Sequence, residues 1–251
     1  MKSGFLSGII FLVSTFYSCV HNPENKSLDK AKTIIHNCRM VYGSDMIDQE
    51  RITFKLREYN YVWDYTENGR LQERITTDSL GNIIKDSWLG ENFYRIINQD
   101  TVPLTEEAIQ KYKNSINSVF YFAFLPKSLT DPAVNAILLE SVIIKDQPYH
   151  KIKVTFTEEG GGEDYEDIFL YWIHQKSHKL DYMAYQYFTE GGGIRFREAV
   201  NHHKFDDIIL QDYNNYKPTH EVDDFLHIDS LYMNDELTLV SRIDLENLSV
   251  N

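Results

Sequence analysis

Cysteine is almost absent: the 251 residues contain two, Cys19 and Cys38. An exported fold stapled by disulfides carries an even set of cysteines within its body, so no such framework is expected here. Basic residues are outnumbered, with 25 Lys and Arg against 38 Asp and Glu and a formal charge of −13. A surface of that sign repels polyanions, which excludes nucleic acid as a partner. It also disfavours adhesion to anionic lipid through the protein surface itself. The long apolar run, Phe5 to Tyr17, falls short of the about 20 residues that a membrane-spanning helix needs. Catalytic signatures are missing as well. There is no Gly-x-Ser-x-Gly elbow and no recognisable Ser/His/Asp order, and no Gly-Lys-Ser/Thr to cradle a phosphate. No catalytic residue is assigned, and no motif implies a cofactor.

What is present begins at the N-terminus. Lys2, the apolar run and the small Ser18 before Cys19 describe a signal peptide over residues 1–18. A cysteine at the cut suggests acylation of Cys19, with the acyl chains as the membrane attachment and the cell envelope as the location. Phe16-Tyr17 departs from the residues usual before a lipidated cysteine, which leaves ordinary secretion as the rival. Residues 19–27 are polar, carry Pro23 and read as a tether. Residues 28–251 read as one domain. With Cys19 lipidated, Cys38 has no internal partner. It reads as a small buried apolar residue rather than a nucleophile or redox thiol.

Ser27 can cap a helix whose apolar positions Leu28, Ala31, Ile34, Ile35, Cys38 and Val41 follow helical spacing, with Gly43 ending it. The period then changes to two. Arg51–Arg57, Tyr59–Tyr65, Leu71–Thr77, Ile83–Leu89 and Asn92–Ile97 read as strands joined by turns, with no helix between them to build a parallel crossover. Thr105-Glu-Glu opens a helix over Leu104–Ser115. The apolar stretch from Val119 to Leu125 follows, and then a Pro-containing helical or looped segment with Leu129, Val134, Ile137 and Leu138. Strands resume at Glu140–Lys145, Pro148–Thr157, Asp167–His174, Lys179–Thr189, Ile194–Val200 and Ile208–Tyr216. Asp235–Asn247 reads as a last strand or helix.

Two glycine triplets, Gly160–Gly162 and Gly191–Gly193, fall between strands. Glu158, Glu159, Glu163, Asp164, Glu166 and Asp167 around the first would suit calcium chemically, but the spacing matches no EF-hand loop. Flexible or bulged hairpin loops are the favoured reading, with a place on the rim of a cleft as an additional role open to them. His202-His203 are adjacent and point to opposite faces of a strand, so no metal site is assigned. Arg195 and Arg197 share a strand face. They either bind a carboxylate or headgroup inside a cavity or, the favoured alternative, pair with acids of neighbouring strands. Phe120, Phe122, Phe124 and Leu125 are the candidates to line that cavity, the alternative being that they fill a core. An envelope hydrolase acting on polysaccharide through a carboxylate pair near the glycine loops, or an interaction module that uses its sheet edge, stands as the rival function.

Several segments carry a family resemblance: Asn114–Pro126, Pro148–Phe156, Glu159–Asp167, Lys179–Tyr185, Gly191–Glu198 and Tyr213–Pro218. Across most of the chain they resemble an uncharacterised domain-of-unknown-function family of Gram-negative envelope lipoproteins. The order of signal, tether, helix, meander, apolar interruption and second meander looks like the LolA/LolB-like lipoprotein carriers. That resemblance implies a mainly β (α+β) fold. A strongly curved antiparallel sheet would form an incomplete barrel, with an N-terminal helix and a central helical-hydrophobic insertion over an apolar cavity. It implies non-enzymatic binding of a lipid or acyl chain, and it offers no active site to transfer.

Overall fold

The computed structural model describes residues 23–159 and 165–251. Residues 1–18, read above as a signal peptide, and Cys19, the first glycine triplet, Glu163 and Asp164 lie outside these residues. The chain opens with α1 (Pro23–Val41). The expected tether is therefore helical from Pro23 onward, because proline is tolerated in the first turn of a helix, where its missing N–H has no partner anyway. Ser27 does not cap; its hydroxyl donates to the Leu138 carbonyl at 2.9 Å. The helix stops where Gly43 reaches φ +59, with Gly43 N–H on Met40 O and Ser44 N–H on Arg39 O. Its buried residues Ala31, Ile35 and Cys38 follow the expected stripe.

Six strands follow: β1 (Ile52–Leu56), β2 (Tyr59–Thr66), β3 (Gly69–Thr77), β4 (Ile83–Leu89), β5 (Asn92–Ile97) and β6 (Asp100–Val102). They pair in sequence as an antiparallel meander. Helix α2 (Glu106–Ala123) comes next, capped by Thr105, whose hydroxyl accepts from Ala108 N–H, with Glu106 and Glu107 in the first turn. It runs eight residues beyond the expected end at Ser115, because the apolar stretch continues the helical face through Ile116, Phe120 and Ala123.

The second half contributes β7 (Val134–Leu138), β8 (Val142–Ile144), β9 (Gln147–Phe156), β10 (Ile168–His174), β11 (Leu180–Tyr187), β12 (Gly193–Phe205), β13 (Ile208–Pro218), the short helix α3 (Ile228–Met233) and β14 (Leu237–Ile243). Strand β7 replaces the looped or helical segment expected there, since Val134–Leu138 finds the free edge of β9. The sheet runs β14-β13-β12-β11-β10-β9-β7, with β8 also on β9. The tail forms two strands: after β14, the chain crosses at Leu245 and β15 (Glu246–Val250) pairs with β1 of the first sheet.

The fold is thus mainly β, with two large antiparallel sheets and no closed barrel among the described residues. Three apolar clusters hold it. One joins α1 to the concave face of β9, β10 and β11 through Ile152, Val154, Tyr171 and Met183. The second joins α2 to β1 and β2 and includes Ile208 and Leu210, so β13 touches the first sheet. The third lies on the opposite face of β10–β12, where Trp172 and Phe196 meet Phe225 and Ile228 next to α3.

Candidate functional site

Helix α2 lies between the two sheets, and its two faces have different fates. Phe120 and Phe124 are one helical turn apart and nearly fully buried. Their rings pack on Trp63 at 5.3 and 5.0 Å. Phe122 projects the other way, toward the second sheet, 5.5 Å from the Tyr185 ring and 6.4 Å from Phe169. Leu125, just past the helix, is buried in the cluster with α1.

Between Phe122 and the concave face of the second sheet lies a cleft of about 410 Å³. Its walls are aromatic. Tyr121 and Phe122 come from α2, Phe156 from β9, Phe169 from β10, and Tyr185 and Tyr187 from β11. Tyr185 and Tyr187 are two residues apart on β11 and so face one side of the sheet, and Phe169 lies across from Tyr185 in register. Phe169 lies nearly parallel to Tyr185 at 5.6 Å and edge-on to Phe156 at 5.5 Å. Asn117, Ser118, Asp131, Asp167, Thr189 and Arg195 supply the polar rim. Burial, opposed by Lys127, Arg39 and Arg70, raises the Asp131 carboxyl above the ordinary Asp range. One oxygen of Asp167 accepts from Phe188 N–H at 3.3 Å.

A second hollow of about 220 Å³ adjoins the cleft; Ser118 and Phe122 line both. Arg197 lines this hollow with Gln211, Tyr213, Val119 and Leu245. The Arg197 guanidinium lies 4.1 Å from the centre of the Phe122 ring and 5.1 Å from that of Tyr185. Nη2 donates to the Tyr185 hydroxyl at 3.1 Å. Burial pushes the Tyr213 hydroxyl up to about 12, against the lowering influence of Gln211 and of the Arg197 charge.

The structure therefore brings three of the sequence candidates, Phe122, Arg195 and Arg197, to the cleft and its annex. It places Phe120, Phe124 and Leu125 in the core clusters. Phe156, Phe169, Tyr185 and Tyr187 were not singled out from the sequence, although their period-two spacing on neighbouring strands was a usable signal. Of the glycine motifs, the second sits at the rim beside Thr189. A Cβ on Gly193 would lie 2.7 Å from the Tyr187 hydroxyl, so a side chain there would displace that ring. The first triplet and its calcium reading fall outside the described residues. Among the described residues no group of His, Cys, Asp or Glu is arranged to hold a metal, and no helix is long and apolar enough to cross a membrane.

A model of a family of unknown function, DUF6503, matches residues 7–247. A search of curated proteins finds no match. Among solved structures, the fold is similar to a LolA superfamily protein from Nitrosomonas europaea at 11% identity and TM-score 0.42, covering 74% of this chain and 85% of that one. It is similar to a putative outer membrane lipoprotein-sorting domain from Vibrio parahaemolyticus at 7% identity and TM-score 0.42, covering 88% and 93%. A third similarity is to the lipoprotein LppX of Mycobacterium tuberculosis, at 13% identity and TM-score 0.30, covering 64% and 90%. Overlap of this extent is a likeness of general shape and carries nothing about ligand.

Proposed function

For a chain that belongs to the DUF6503 family, whose function is unknown, we propose a role read from the cleft: a non-enzymatic protein of the cell envelope that binds a lipid or acyl chain. The observation that carries this reading is the cleft between Phe122 and the strand aromatics Phe156, Phe169 and Tyr185. A core left partly open and lined by aromatic rings offers an apolar chain the burial that the protein itself has not completed. The proposal includes export through the segment 1–18 and attachment to the membrane through acylated Cys19.

Protein beginning at Val20 and purified without detergent should carry co-purified lipid in native mass spectrometry and should bind a fluorescent fatty acid. Phe122→Ala should weaken that binding about tenfold, the scale set by losing the burial of one aromatic side chain. Protein that is lipid-free and does not bind the fatty acid would overturn the reading.

A second reading has one observation in its favour: two carboxylates, Asp131 and Asp167, line the cleft, and a glycoside hydrolase needs such a pair. It requires that Asp131→Asn and Asp167→Asn each abolish hydrolysis of a polysaccharide without lowering the melting temperature. Hydrolysis that survives both substitutions would dispose of it.

A further inference from the structure

Resting on the lipid-binding reading, we infer that Arg197 is the recognition site for the anionic head of the ligand, whose apolar tail lies along Phe122 into the larger cleft. Arg197 is 7% exposed, and among the described residues no carboxylate lies within ion-pair distance of it. This is an unusual setting, since buried charges are paired almost without exception. The acids on the neighbouring strands are committed elsewhere. Glu198, the next residue, points to the opposite sheet face and meets Lys145 at 2.8 Å. Asp212 on β13 meets His203 at 2.9 Å, and Asp181 on β11 accepts from the Tyr149 hydroxyl.

The surroundings of the guanidinium are phenols, rings and amides. Tyr185 accepts one hydrogen bond from Nη2, and Nε has no partner. Asn215, directly across the strand pair, turns its amide nitrogen to Ser241 at 3.2 Å. Tyr213 already accepts from Gln211 Nε2 at 2.7 Å. A guanidinium is a fork of several N–H donors with no acceptor of its own, so donors remain to be satisfied at the wall of an apolar hollow. A carboxylate or phosphate monoanion satisfies both the charge and the fork. Aliphatic chains alone do neither. The hollow adjoins the cleft at Phe122 and Ser118, so one amphiphile can place its head on Arg197 and its tail among the aromatic rings.

The test uses the full chain in membranes and four photoreactive diazirine probes of equal chain length. These are a fatty acid, the matching fatty alcohol, a monoacylglycerol phosphate and the matching monoacylglycerol. Half-maximal labelling should favour at least one anionic probe over its neutral partner by about tenfold or more, as expected for charge-assisted hydrogen bonds in a buried site. The pair that shows the ratio identifies carboxylate or phosphate as the natural head. Arg197→Met should erase the ratio, and Arg197→Lys, which keeps the charge but not the fork, should retain part of it. Equal labelling by anionic and neutral probes in the unaltered protein overturns the inference, whatever the variants do. A ratio that persists in a folded Arg197→Met protein also overturns it. Absence of all labelling instead overturns the lipid-binding reading on which the inference rests.

Discussion

At the scale of single residues, the clearest commitments lie where α1 ends. Gly43 holds φ +59, and a Cβ there would come 2.2 Å from the Asp207 carbonyl oxygen. Gly43→Ala should therefore cost about 1–3 kcal/mol or more in urea unfolding, since backbone strain and a backbone clash add. One residue earlier, the Tyr42 hydroxyl donates to Gln211 Oε1 at 2.6 Å and accepts from Leu180 N–H at 3.2 Å. Tyr42→Phe would strand both partners in the core, and a loss of about 1–3 kcal/mol is expected. Cys38 is fully buried, and burial drives its thiol far above the ordinary range, with Asp181 adding to the shift. It should resist alkylation by iodoacetamide in native buffer and react once denaturant is added; prompt native labelling would contradict the packing described. Gly43 as a helix end and Cys38 as a core residue were both legible in the sequence, because each depends on chain neighbours within a turn or two. The Tyr42–Gln211 bond joins residues 169 positions apart, and no local pattern announces it.

Among elements, α2 is the decisive one, since it separates the core from the cleft. Its docking depends on a carboxylate the sequence did not mark. Asp86, 2% exposed on β4, accepts from Arg74 Nη2 at 2.6 Å and from Arg95 Nε at 2.7 Å. Arg74 Nη1 in turn donates to Ser115 on the helix at 2.8 Å, and the Arg95 guanidinium stacks on Tyr112 at 3.6 Å. Removing the shared carboxylate leaves two largely buried cations facing each other. Asp86→Ala should thus cost about 3–5 kcal/mol by chemical denaturation, and more than Asp86→Asn, which keeps an acceptor. The sequence announced the helix through Thr105-Glu-Glu but set its end too early. An apolar run shorter than two helical turns fits several structures, and here tertiary burial of Ile116, Phe120 and Ala123 chose the helix.

For the whole molecule, acid tolerance follows from how protons divide between the folded and unfolded chain. His150 on β9 is half-buried, its Nδ1 has no hydrogen-bond partner, and burial, with His178 nearby, lowers its pKa below 6.5. The unfolded chain then binds a proton that the folded chain resists. The contribution is intact above the ordinary histidine pKa and is lost as pH falls below it. The melting temperature should accordingly decline from pH 7.5 toward about pH 5.5, and His150→Gln should flatten part of that decline. An unchanged slope in the variant would move the effect to other groups.

The sequence by itself determined the sheet-rich class, the helices at either side of the first meander, and which strand residues face inward, as at Ile152 and Val154 on β9. These features depend on the side chains one to four positions away, and periodicity records them. Only the tertiary structure decided that Phe120 fills a core while Phe122, two residues on, lines a cleft. It also decided that Arg197 meets phenols and rings rather than the acids expected beside it. Those outcomes depend on which distant strand lies opposite, and a chain carries that information only through the packing of all its elements at once.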